Sequence, residues 1–84
     1  NKMIHEYQFS IDSIDAANKA THTTYAEDSI CNGLAKGRRM LDKLFKDGAL
    51  TAELWLMGAP ADGRRSSLKA FFDRGDDKVH KVEC

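Results

Sequence analysis

The stretch TYAEDSICNGLAKGRRMLDKLFKDG, Thr24 to Gly48, decides how this chain folds. Apolar residues recur at Ile30, Leu34, Leu41, Leu44 and Phe45, with Gly37 in the same stripe. That three-four spacing predicts an amphipathic helix with one buried face. Thr24-Tyr25-Ala26-Glu27 has the form of a capping box, in which the threonine oxygen accepts from the third helical amide and Glu27 reaches back. The predicted helix therefore runs from Thr24 to Asp47. Glu27 and Asp28 would complement its dipole at one end, Lys43 and Lys46 at the other, and Gly48 would supply a left-handed terminator. Gly33 and Gly37 interrupt it. Each costs about 1 kcal/mol relative to alanine in a helix interior. Their position on or near the apolar stripe predicts that a neighbouring backbone comes close to the helix there. A break at Asn32-Gly33 is the alternative to one continuous helix.

Outward from the helix, Met3 to Ile11 alternates, with Met3, His5, Tyr7, Phe9 and Ile11 on one side. Period two with branched and aromatic residues predicts a strand with one buried face. Asp12 to Thr23 reads as a short helix capped by Ser13 or as an ordered loop, since the Thr-His-Thr-Thr run at 21–24 disfavours helix. Ala49 to Met57 predicts a second strand. Leu50, Ala52, Leu54 and Leu56 form one face; Thr51, Glu53, Trp55 and Met57 form the other. A loop follows at 58–63. Ser66 to Asp73 fits a helix or a strand, and Arg74-Gly75, repeating the Asp47-Gly48 ending, favours the helix. Lys78 to Cys84 predicts a short last strand.

The fold class is thus α+β. One amphipathic helix packs on a small sheet in a two-layer domain, in the order strand, long helix, strand, short helix or strand, strand. The 84 residues make a single domain, with Asn1 and Lys2, ahead of Met3, read as a tag remnant. No apolar run approaches the roughly 18 residues of a membrane helix, and no export signal is visible, so the expectation is a cytoplasmic protein with no membrane partner. Cys31 and Cys84 are then expected to be free thiols.

Few residues have the spacing that chemistry would need. His5, His22, Cys31, His80 and Cys84 could ligate a metal, but His80 and Cys84 lie roughly 13 Å apart along one strand face at 3.3 Å per residue. There is no nucleophile elbow and no phosphate loop. Hence no catalytic, metal or cofactor site is assigned, and the protein is read as a non-enzyme.

Two surface features remain. Lys36, Arg39, Lys43 and Lys46 fall within about 80° on the helix wheel, opposite the apolar stripe. Trp55, with Met57 beside it, lies on the strand face turned away from the helix, either exposed or covered by Phe71 and Phe72. These six residues, Lys36, Arg39, Lys43, Lys46, Trp55 and Phe71, are the candidate binding residues. The first functional reading is a small regulator or inhibitor, of the kind phages and mobile elements encode, that occupies a surface of a larger protein as a monomer or homodimer. The second is a nucleic-acid-binding module that uses the basic stripe. Thirteen basic residues balance thirteen acidic ones, and zero net charge disfavours the second reading.

Overall fold

The computed structural model describes residues 7–59 and 63–82. Strands β1 (Tyr7–Ile14) and β2 (Ala20–Glu27) form a hairpin, followed by helix α1 (Ile30–Lys46) and strands β3 (Thr51–Leu56), β4 (Ser67–Phe72) and β5 (His80–Lys81). The strands make one antiparallel sheet in the order β2-β1-β3-β4-β5. Since β2 and β3 are each antiparallel to β1, they run parallel to one another, and α1 is the crossover between them. The helix lies on one sheet face, which makes this the expected small two-layer α+β domain.

Alternation along β1 dictates its placement. Phe9 and Ile11 are buried beneath the helix, where they meet Leu54 and Ala52 of β3, Ala70 and Phe72 of β4, and Leu34 and Leu41 of α1. Leu44, Tyr7 and Tyr25 are half-buried at the margins of this core. Phe45 closes one end edge-on to Phe72, with ring centroids 5.2 Å apart.

The helix is continuous through both glycines, and the close approach is made by side chains rather than by a neighbouring backbone. The Phe9 ring occupies the space a Cβ would need at Gly33. A Cβ at Gly37 would fall 2.6 Å from Leu54 Cδ2 and against the Tyr25 hydroxyl. Tyr25 stacks on Phe9, centroids 5.1 Å apart, and donates to the Gly33 carbonyl at 2.7 Å.

Four expectations are corrected. First, α1 begins at Ile30, not Thr24. Ser29 is its N-cap, accepting from the Asn32 amide at 3.1 Å. The first turn holds no acidic residue. Thr24 to Glu27 instead belong to β2, where branched residues at 21, 23 and 24 suit an extended backbone. Second, residues 15–19 form the hairpin turn rather than a short helix. The Asp15 carboxylate accepts from the amides of Ala17 and Lys19, each at 2.9 Å, and Asn18 takes φ +67°. Third, 67–72 is a strand. Only as a strand can it satisfy the second edge of β3 while sending Ala70 and Phe72 to the core. A register shift between Leu54 and Trp55 leaves Leu68 opposite Trp55. Fourth, Cys31 is disulfide-bonded, not a free thiol. Cys84, the chain's other cysteine, lies outside the described residues, as do Met3 and His5. The helix end is as expected, with Lys43 and Lys46 in the last turn and Gly48 at φ +89°.

Three outcomes are expected. Gly37→Ala should lower the melting temperature, because the new methyl overpacks against Leu54 and Tyr25. Overpacking costs about 1–3 kcal/mol, whereas the same change on an exposed helix face would stabilise by about 0.4–1 kcal/mol. Non-reducing mass analysis should find the oxidised chain lighter than the reduced one by two hydrogen atoms, with Cys31 blocked to alkylation. Alkaline titration should weaken the fold through Tyr25, whose hydroxyl is pushed up to about 12 mainly by burial, with a smaller contribution from Glu27. Its folded pKa lies above the unfolded value of about 10, so the contribution is complete below pH 10 and is lost as pH rises toward 12. Tyr25→Phe should remove that alkaline loss.

Candidate functional site

With one helix among the described residues, the sheet has a face that α1 covers and a face turned away from it. On β1 and β2 the residues turned away from α1 are Ser10, Asp12, His22 and Thr24; on β3 to β5 they are Glu53, Trp55, Leu68, Phe71 and His80. Among the described residues no second helix or sheet layer lies over this face, although Ser10 within it is only 3% exposed and Trp55 and Leu68 are half-buried. One cross-strand row runs the full width of the sheet: His22 opposite Asp12, Asp12 opposite Glu53, Glu53 opposite Phe71, and Phe71 opposite His80.

The row has two characters. At its β4–β5 end Phe71 stacks on the His80 ring with centroids 4.9 Å apart, and His80 Nε2 lies 3.1 Å from an Asp76 carboxylate oxygen. Phe71 and Met57 are each 37% exposed. Trp55 is half-buried, and its indole N–H donates to Glu53 at 3.1 Å. At the β1–β2 end, His22 Nδ1 is hydrogen-bonded to Asp12 on the surface. Asp12, His22, Thr51 and Glu53 line a shallow depression of about 420 Å³ beside the hairpin turn. Its lining also includes Ser13 and Thr21, and the imidazole is bonded to Asp12 rather than to a hydroxyl. The Ser13 hydroxyl donates instead to Thr21, at 3.3 Å. Among the described residues no three histidine, cysteine or acidic side chains converge as a metal site would need.

The basic residues of α1 lie on the opposite side of the molecule. Helix α1 holds five cations, Lys36, Arg38, Arg39, Lys43 and Lys46, and one anion, Asp42. Lys43 pairs with Asp47 at 3.2 Å. Lys36 sits over the Tyr25 ring at 5.0 Å and 4.0 Å from Glu27. Lys81 reaches Asp42 at 3.3 Å, and Arg38 donates to the Val82 carbonyl. Arg39 and Lys46 are exposed. The chain is neutral overall but polarised, with a cationic helix back and an aromatic, carboxylate-bearing open sheet face.

The six sequence-derived candidates thus separate into two groups on opposite surfaces, four on the helix back and two on the open face. The sequence places Glu53 on the Trp55 face but does not bring Asp12, His22 and His80 beside it, because β2 is not legible as a strand and 66–73 fits a helix as well as a strand. The available signal was Asp12, which continues the alternation of β1 one step past Ile11. No helix is long and apolar enough to cross a membrane among the described residues. No family model matches this chain, and no curated protein or solved structure matches it significantly.

Proposed function

We propose that this domain is a non-enzymatic protein-binding regulator that occupies a surface of a larger partner through its open sheet face. One observation supports this most: a sheet face with no second layer over it among the described residues presents Trp55, Leu68 and exposed Phe71 side by side. Tryptophan and other large aromatics concentrate binding energy at the centres of protein interfaces, where they can be fully desolvated on docking. The carboxylates of Asp12 and Glu53 on the same face define the partner's chemistry. It presents an apolar patch rimmed by lysine or arginine, since opposite charge steers encounter and fixes orientation. Those carboxylates would repel a nucleic acid from this face. On the helix back, Asp47 pairs with Lys43 and so neutralises part of the basic stripe, which makes the nucleic-acid reading second. A phage or mobile-element origin and an inhibitory outcome are the finer parts of the proposal. A cytoplasmic location is finer too, and the Cys31 disulfide bears against it, because reducing compartments keep thiols unpaired.

Two experiments test the proposal together. Mobility-shift titrations with DNA and RNA at low and physiological salt should show weak binding that salt abolishes. Affinity capture from the native host should retain a protein that is lost with Phe71→Asp or Trp55→Ala and kept with Lys43→Glu. Against the purified partner, Trp55→Ala should weaken binding by about 2 kcal/mol or more, roughly thirtyfold. Tight salt-sensitive nucleic-acid binding, abolished by Arg39→Glu or Lys43→Glu with the open-face variants unaffected, would replace this proposal with the second reading.

A further inference from the structure

The hydrogen-bond phase of the sheet leaves β2 with a free outer edge. The Asp15 amide donates to the Lys19 carbonyl at 3.0 Å, which sets odd-numbered residues of β1 and β2 as the bonded pairs. Even-numbered residues of β1 face β3 instead: the Ile14 carbonyl accepts from Leu50 at 2.7 Å and the Gln8 carbonyl from Met57 at 2.8 Å. It follows that Ala20, His22, Thr24 and Ala26 point their amides and carbonyls away from the sheet. Among the described residues no strand pairs with that side. Edge strands are ordinarily protected by lysine, proline, a bulge or brevity. Strand β2 is eight residues long, ATHTTYAE, is exposed from Ala20 to Thr24, and pairs with β1 without a register shift. It has no lysine and no proline.

We propose that the occupant of this edge is a second copy of the chain, with the two β2 strands pairing antiparallel about a two-fold axis at Thr23. Three constraints converge on that register. The pleat requires odd residues to face odd and even to face even, so the axis must pass through a residue and not between two. Of the registers that remain, centring on Thr23 sets Ala20 opposite Ala26 and His22 opposite Thr24. It is the register that engages all four outward residues of both copies. The same register places Lys19 of one copy opposite Glu27 of the other at both ends of the ladder, an opposite-charge pair supplied twice by symmetry. Glu27 then lies between its own Lys36, 4.0 Å away, and the second copy's Lys19.

An independent feature lies beside the same edge. Between β2 and the C-terminal half of α1 runs a groove of about 240 Å³ lined by Ile11, Thr21, Thr23, Met40 and Leu44. The two-fold axis stands perpendicular to the sheet, so the two grooves face each other across it and the second copy shields both. The open faces remain uncovered and become coplanar, which doubles the binding surface proposed above without depending on it.

The test follows amide hydrogen exchange and sedimentation of the full chain from roughly micromolar to millimolar concentration, the range of small interfaces. A concentration-dependent dimer is expected. Its formation should protect the His22 and Thr24 amides and leave those of Thr21 and Thr23, already bonded to β1, unchanged. Lys19→Glu and Glu27→Lys should each weaken the dimer by about two- to thirtyfold, the range for two exposed ion pairs. The double variant, which exchanges the charges, should restore it. Thr23→Lys, on an exposed side chain, should abolish dimerisation with the circular dichroism spectrum unchanged. A monomer throughout the range overturns the proposal. So does a dimer that leaves the His22 and Thr24 amides unprotected, or one that the exchanged pair fails to restore.

Discussion

The seating of Phe9, Tyr25 and Leu54 against two side-chain-free positions of α1 is the contact on which the rest of this structure depends. Phe9 fills the notch at Gly33, and Leu54 with the Tyr25 hydroxyl fills the one at Gly37. Glycine is a poor helix former, so two of them four residues apart lower the local propensity of α1. The loss is offset by depth of contact. Three strands, β2, β1 and β3, each send one side chain to the helix backbone, and Tyr25 adds a hydrogen bond to the Gly33 carbonyl. This fixes both the height and the direction of the helix over the sheet.

That fixed crossover determines what is left over. Among the described residues a single helix covers one face of a five-stranded sheet, and no second layer lies over the other. Residues that alternate with the core along the same strands are thereby presented outward. The alternation that buries Phe9, Ile11 and Leu54 also brings out Asp12, Glu53 and Trp55. The basic residues of the helix are held on the far side of the domain, so zero net charge coexists with two surfaces of different character. The crossover also leaves β2 at the margin of the sheet, where its outer edge lacks the protection that edge strands ordinarily carry.

Much of this was legible in the sequence, for definable reasons. The body of the helix, its glycines, its Gly48 terminator and the two faces of β3 follow from strong contrast between apolar and polar positions. Strand β2 escaped because it has little such contrast. Its inward face is Thr21, Thr23 and Tyr25, and its outward face is Ala20, His22, Thr24 and Ala26, so period two is muted. The same weakness let Thr24 and Glu27 resemble a capping box, while Ser29, five residues on, was the cap. In β4 the register shift offset the alternation by one residue, so Leu68 and Phe71 share an open face that uniform period two would not give them. The Cys31 disulfide could not be inferred from two cysteines far apart in a chain with no visible export signal.

Trp55 is the chain's one tryptophan and sits on the open face, so its fluorescence reports on that face alone. The most direct measurement is quenching of the native protein by a neutral quencher such as acrylamide. A half-buried indole bonded to Glu53 on the face turned away from α1 should quench readily without unfolding, and its emission should lie to the red of a fully buried tryptophan. An emission typical of a dry core, with no quenching until the protein unfolds, would show a second layer over that face and contradict the account.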